Sequence, residues 1–319
     1  MEADKLLDAV IVSADMGAMT LACVRELAGT TRARVIVVDN AFGAPREDAA
    51  RAEIERAATV VELERRLGFA AANNRGIAIG EAPFVLLLNS DILLTHGAVQ
   101  RLLGALEADP GAVAVGGRLV DPHTLETQAQ YRPRPFPTLA NFLVIVLGIE
   151  ERWPGNPVTL RYHGAQVADE SGVQEVAQPA AAALLVRRGE LDSVGGLDER
   201  FWFWFEDSDL LLRLGARGRV LYEPRAVFRH LGGGTFGGWE KVERIRSIHH
   251  GMLHYADAHL SRCKRALLGA AVLAVSVPRI ALFARSRPQE ASAWRAVAAG
   301  AIALIGGRRV PAIAPGPQP

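Results

Sequence analysis

Apolar residues gather into runs of strand length at 9–13, 35–39 and 84–90, separated by helix-like stretches at 19–28, 47–57 and 95–108. This alternation predicts βαβ units and a parallel sheet. The third run, Phe84-Val85-Leu86-Leu87-Leu88, is apolar throughout and stops abruptly at Asn89-Ser90-Asp91. A parallel strand covered on both faces reads this way, and the polar residues after it fall at the carboxyl edge of the sheet, where open α/β folds bind ligands. The run at 35–38 likewise ends in Asp39-Asn40, and the first run ends in Ser13.

Between the second and third runs, Gly68 opens a small-residue segment, Phe69-Ala70-Ala71-Ala72-Asn73-Asn74-Arg75. A helix there offers its N-terminus to phosphate, with Arg75 as a partner for the anion, while its alanines permit close packing on a sheet. Further on, Phe201-Trp202-Phe203-Trp204-Phe205 runs straight into Glu206-Asp207-Ser208-Asp209. Aromatic burial raises a carboxylate's pKa toward values useful to a base, and the same acids opening a helix over 207–214 would complement its dipole. A last strand-like segment, 219–230, ends at His230. Residues 121–178 carry Pro122, Pro133, Pro135, Pro137, Pro154 and Pro157 and little periodicity, as expected of an irregular insertion.

Half of the 319 residues are apolar, enough to bury one large α/β core. Cys23 and Cys263 form neither a disulfide framework nor a zinc set. The acidic start, Met-Glu-Ala-Asp-Lys, leads directly into a strand and carries no secretory pattern, so a cytoplasmic setting is expected. The net charge of +1 conceals an asymmetry: from Arg262 onward nine basic residues face the single acid Glu290, a net +8, which leaves −7 for the rest. The apolar run 266–277 is only twelve residues long before Pro278, short of the roughly 20 that a spanning helix needs. We therefore expect residues 261–310 to be a basic helical tail lying on an anionic membrane surface; a spanning segment through Pro278 and packing on the domain are the alternatives. Residues 311–319 are expected to be a disordered end.

In this order the motifs resemble the family 2 glycosyltransferases of GT-A fold, closest to a bacterial rhamnosyltransferase-like branch that builds polysaccharides and lipid-linked glycans. The resemblance covers roughly residues 8–260 and rests on Val-Ile-Val-Val-Asp-Asn (35–40), Gly-Phe-Ala-Ala-Ala-Asn-Asn-Arg-Gly-Ile (68–77), Leu-Leu-Asn-Ser-Asp (87–91), Ala-Leu-Leu-Val-Arg-Arg (183–188), Gly-Gly-Leu-Asp-Glu-Arg-Phe (195–201), Glu-Asp-Ser-Asp-Leu (206–210) and His230. It implies a Rossmann-like, mostly parallel sheet with flanking helices over 1–260, and an inverting transfer of a sugar, rhamnose being a candidate, from a nucleotide-diphosphate donor to a lipid-linked or saccharide acceptor. Carried over to this chain, it makes Asp207 the catalytic base and Asp91 with His230 the holders of a divalent cation, Mg2+ or Mn2+. Ser13, Asp39, Asn40, Gly68, Asn73, Arg75, Asn89, Trp202, Trp204 and Glu206 would contact donor or acceptor, either tryptophan stacking on a sugar face. The resemblance implies no nucleic acid partner, leaves the oligomeric state open, and puts the protein on the inner face of the cell membrane. Two loops depart from the family pattern: Ser13-Ala14-Asp15 ends the first strand, and Ala41-Phe42-Gly43-Ala44-Pro45 follows Asn40. A nucleotidyltransferase would show a lysine-containing glycine-rich loop after the first strand, and 13–20 has no lysine or arginine. A catalytically inactive sugar-nucleotide-binding module would have no use for Asp91, Asp207 and His230 together.

Overall fold

The computed structural model describes residues 6–29, 33–40, 48–163, 171–232 and 241–311. The Ala41–Pro45 departure and residues 312–319 of the expected disordered end lie outside them. The predicted alternation is present as β1 (Leu7–Ser13), α1 (Ala18–Ala28), β2 (Ala33–Asp39), α2 (Asp48–Ala57), β3 (Thr59–Glu62), α3 (Phe69–Ile77) and β4 (Phe84–Asn89). The interiors of β1, β2 and β4 are largely apolar and buried because helices cover both faces, the edge strand β3 is only partly buried, and β3, β2, β1 and β4 pair in parallel.

Beyond β4 the sheet becomes mixed. β5 (Ile92–Leu94), α4 (Ala98–Ala108) and β6 (Ala112–Val120) follow directly. The insertion then contributes α5 (Leu139–Val146), α6 (Ile149–Arg152), α7 (Pro157–His163) and β7 (Gln174–Glu175). After it come β8 (Ala183–Arg187), α8 (Arg188–Ser193), α9 (Glu206–Gly215) and β9 (Arg219–His230). Among the described residues nine strands form one sheet, ordered β3-β2-β1-β4-β8-β6-β9-β5 with β7 beside β9. β8 enters antiparallel between β4 and β6, and β6 and β9 are again parallel. The short β5 pairs antiparallel with β9, opposing Ile92 to His230, which carries His230 to the sheet edge beside Asp91.

After β9 comes α10 (Lys241–His259), and the tail then comprises α11 (Arg262–Phe283) and α12 (Pro288–Ile305). One apolar core runs from the sheet through Leu210 and Leu214 of α9 and Met252 and Leu253 of α10 to Leu268, Val272, Trp294, Val297 and Leu304 of α11 and α12. The two last helices approach closely because Gly269 of α11 has no side chain: a Cβ there would lie 3.0 Å from the carbonyl oxygen of Ala301. Residues 261–310 thus pack on the domain along one side. Pro278 does not end α11, which continues to Phe283 with Arg279 4.8 Å over the Trp294 ring. By length and composition α11 is apolar enough to cross a membrane. Its outer positions Leu267, Ala270, Ala274, Val277 and Leu282 are exposed.

Candidate active site

Strand register gathers the polar strand ends at one edge: Ser13 opposes Asp39, Val12 opposes Asn89, and Asn40 N–H donates to the Ser13 carbonyl at 2.9 Å. Several of these side chains work for the fold. Ser13 Oγ is fully buried, 2.7 Å from Thr20 Oγ1, and accepts from Met16 N–H at 2.9 Å, so its hydroxyl points inward toward α1. Asn40 brackets Leu67, donating to its carbonyl at 3.0 Å and accepting from its N–H at 2.9 Å. Asp39 is buried and pairs with Arg51 at 2.6 Å. Asn73 is buried and donates to the Phe69 carbonyl one helical turn back.

Two sequence readings acquire different physical reasons. Gly68 is needed for close approach: a Cβ would lie 2.8 Å from both Cα and the carbonyl oxygen of Trp202, while Phe69 N–H donates to that same oxygen at 2.7 Å. The donor-side helix is thereby stitched to the segment leading to Asp207. Arg75 lies in the last turn of α3, on the order of 10 Å of helix rise from Gly68. It pairs with Glu199 at 3.3 Å, so a single anion at the Gly68 end is out of its reach. Asn74, which the sequence reading passed over, ties α3 to the Gly-Gly turn by donating to the Leu197 carbonyl at 2.8 Å and accepting its N–H at 3.0 Å.

At the sheet edge beyond Asn89, Asp91 and His230 are both buried, with His230 Nε2 3.4 Å from Asp91 Oδ1. Gln128, from the insertion, sets the ring's state. Its Nε2 donates to the His230 carbonyl at 2.9 Å, so its Oε1, 2.9 Å from Nδ1, must accept. Nδ1 therefore carries the proton in the neutral ring, and Nε2 turns a lone pair toward the carboxylate. Two electron-rich donors facing each other fit a divalent cation, and an imidazole oriented through its other nitrogen is the usual arrangement of a ligand histidine. Among the described residues no group of three or more His, Cys, Asp and Glu converges as a metal site, so the remaining coordination would fall to diphosphate oxygens and water. Tyr131 packs edge-on against the His230 ring at 4.6 Å.

The Glu206-Asp207-Ser208-Asp209 stretch is the first turn of α9, and its three acids have separate fates. Asp209 is buried and spoken for: it accepts from Arg213 Nε and Nη2 at 2.9 and 2.6 Å and lies 2.7 Å from His259 Nε2 at the end of α10. Glu206 is buried, and desolvation followed by the charge of Asp207 pushes its carboxyl up to about 8. Asp207 is about a quarter exposed; its Oδ1 accepts from Ser208 N–H at 2.7 Å, and its Oδ2 lies 3.5 Å from Arg134 Nη2. The group that aromatic burial raises is thus Glu206, and the accessible carboxylate is Asp207.

Two residues ahead of this turn hold left-handed backbone, Trp204 at φ 75° and Phe205 at φ 68°, each at a cost of about 1–3 kcal/mol for a non-glycine residue. Packing enforces it. The Phe205 ring sits edge-on to Phe142 at 5.4 Å, and Gly251 lets the α10 backbone approach the Trp204 carbonyl so closely that a Cβ there would clash at 2.3 Å. The Trp202 and Trp204 side chains are half-buried, and the Trp204 ring meets Phe203 edge-on.

Glu206 supports a prediction about stability. The folded protein keeps its proton to about pH 8, whereas the unfolded chain releases it near 4.5. Stability from the neutral carboxyl is therefore complete below about 4.5 and lost as pH rises toward 8. In Glu206→Gln, neutral at every pH, the melting temperature minus that of the parent should climb across this window and level off above it. A difference independent of pH would show that Glu206 ionises normally in the fold.

Residues 10–158, just under half of the chain, match the family model for glycosyl transferase family 2. Over these residues the chain is similar to the family 2 glycosyltransferases. The resemblance to the rhamnosyltransferase-like branch is borne out with it. The N-acetylglucosaminyl-diphospho-decaprenol L-rhamnosyltransferase of Mycobacterium tuberculosis is 33% identical over 177 residues, covering 51% of this chain and 55% of the relative. The pre-mycofactocin glycosyltransferase of the same organism is 30% identical over 210 residues, 62% of this chain and 37% of the relative. The chain thus spans about half or less of the length of the curated relatives it matches. Among solved structures, GalNAc-T7 with UDP, GalNAc and Mn2+ superposes with a TM-score of 0.54 at 16% identity, covering 81% of this chain and 51% of that one. S. aureus TarS 1-349 with UDP-GlcNAc superposes with a TM-score of 0.51 at 14% identity, covering 95% and 92%. These likenesses establish the GT-A type of α/β fold for the family 2 domain and the elements that complete its sheet.

The insertion supplies what the sequence could not assign to the site: Gln128 and Tyr131 beside His230, and Arg134 beside Asp207 with its guanidinium 5.3 Å over the Tyr162 ring. Its only sequence signal was irregularity, because each of these side chains acts through a partner more than 25 positions away or in another element.

Proposed function

We propose that this chain is an inverting, metal-dependent glycosyltransferase that moves a sugar, with rhamnose as leading candidate, from a nucleotide-diphosphate donor to a hydroxyl of a lipid-linked acceptor. One observation carries the reading: of the three acids opening α9, only Asp207 is not buried, and the insertion that sets Arg134 beside it also sets Gln128 and Tyr131 beside His230. The name of the mycobacterial rhamnosyltransferase supports the sugar and the acceptor class.

In this mechanism Asp207 takes the proton of the acceptor hydroxyl while the hydroxyl oxygen forms the bond to the anomeric carbon. The bond from that carbon to the diphosphate oxygen breaks on the opposite face, so the anomeric centre inverts in one displacement. A divalent cation bound by Asp91 and His230 would offset the charge of the departing diphosphate. Buried, neutral Glu206 adds no second negative charge beside Asp207.

The direct test is a screen of nucleotide-diphosphate sugars with a lipid-linked N-acetylglucosamine acceptor, following nucleoside diphosphate release and the glycosylated product. Release without glycosylated product would point to a hydrolase, and no release with any donor to a binding module.

The same reading places the protein at the cytoplasmic membrane face, where the exposed apolar positions of α11 and the exposed cations Arg262, Lys264, Arg285 and Arg287 would meet anionic lipid. The full chain should sediment with anionic vesicles and come off in high salt, since screening shortens the reach of surface charge. Binding that resists salt and yields only to detergent would make α11 a spanning helix instead.

A further inference from the structure

Arg134 stands in an unusual relation to the proposed base. Its main chain is held in the insertion by an N–H to the Gln178 carbonyl at 3.0 Å, and its guanidinium is stacked over Tyr162. The Nη2 to Asp207 Oδ2 separation of 3.5 Å is ion-pair range but too long for a good charged hydrogen bond. A permanent tight cation would weaken a general base, because an opposite charge favours the ionised carboxylate. The guanidinium is therefore poised near Asp207 without being committed to it, and its forked donors match a phosphate.

The insertion that carries Arg134 also exposes apolar side chains. Leu160 is 55% exposed on the helix that carries Tyr162, and Leu147 and Trp153, at the ends of α5 and α6, are 47% and 58% exposed. α5 packs on both α7 and α11, and α11 exposes an apolar outer face. A cation carried by the same insertion as exposed apolar side chains fits an amphiphile with an anionic head and a hydrocarbon chain.

Building on the glycosyl transfer proposed above, we infer that Arg134 binds the diphosphate of a lipid-linked acceptor and that Leu147, Trp153 and Leu160 carry the first part of its chain. Binding the phosphate draws the guanidinium away from Asp207, so the base is freed when the correct acceptor arrives. Arg134 is thereby a specificity residue for the acceptor's head group.

Three acceptors bearing the same sugar test this: a phosphate-free glycoside, a short-chain alkyl diphosphate and a long-chain prenyl diphosphate. Arg134→Gln should cut kcat/KM for both diphosphates by at least about tenfold relative to the glycoside, the size expected for a lost charged hydrogen bond, and should do so through the acceptor's KM. Arg134→Lys, a cation without the fork, should fall between the two. Leu160→Ser, at an exposed position, should erase the preference for the long chain over the short one while the preference for diphosphate remains. An equal loss on all three acceptors with Arg134→Gln would overturn the inference, leaving Arg134 a structural partner of Asp207. A rise in donor KM matching the acceptor's would assign Arg134 to the donor's diphosphate and overturn it as well. If the parent glycosylates none of the three acceptors, the transferase reading falls, and this inference with it.

Discussion

Asp207→Asn should lower turnover at least about a hundredfold while leaving donor affinity little changed, because water cannot replace a positioned carboxylate at the same effective concentration. The substitution is a clean probe. An asparagine Oδ1 can still accept from Ser208 N–H, which the aspartate does at 2.7 Å, so the first turn of α9 keeps its local bonding. What disappears is the proton-accepting oxygen that faces Arg134. Neither neighbour can substitute: Asp209 is held by Arg213 and His259, and Glu206 is buried with its proton retained to about pH 8. Steady-state rates with saturating acceptor, alongside donor binding by calorimetry, measure both halves of the prediction. Near-normal turnover would end the assignment of Asp207 as the base.

The second large effect is expected at the other end of the cleft. Asp91→Ala should abolish the metal-dependent part of nucleoside diphosphate binding, and excess chelator should abolish activity in the parent, since one of two protein donors to the cation is gone. The readout is nucleotide affinity with and without Mn2+, which is independent of turnover. Gln128→Leu gives a finer test, because it leaves both donors in place and frees the His230 ring. It should weaken Mn2+ affinity by about 10- to 100-fold, the range for losing a group that orients a ligand histidine. Full activity in excess chelator would refute the metal role of both Asp91 and His230.

How far these sites could be read in advance depended on the range of the interactions involved. The parallel half of the sheet was legible because a strand buried on both faces must be apolar at each position, and 35–38 and 84–88 are. Asp39, Asn89 and Asp91 followed from the same signal, since a side chain just past such a run has to emerge at the sheet edge, whereas His230, ending the mixed segment 219–230, rested on the family resemblance. The antiparallel entry of β8 between β4 and β6 was not legible, because its apolar residues fit either strand direction and any neighbour.

Residues 206–209 show the limit most sharply. Their sequence put three acids beside aromatics, and local pattern alone could assign none of the three its role. Tertiary partners decided it: Arg213 and His259 took Asp209, burial kept Glu206 neutral, and Arg134, 73 positions upstream of Asp207, came to stand beside the carboxylate that remained. The tail divided in the same way. Its charge and apolar composition were plain from the sequence, yet Pro278 suggested a break that packing of α11 on α12 overrode, through Gly269 against Ala301 and Arg279 over Trp294. The sequence by itself determined the elements whose signal is local periodicity and the edge at which their polar ends emerge. Only the tertiary structure decided which charges are paired, buried or left facing the cleft, because those energies depend on desolvation and on partners that the chain brings together only when folded.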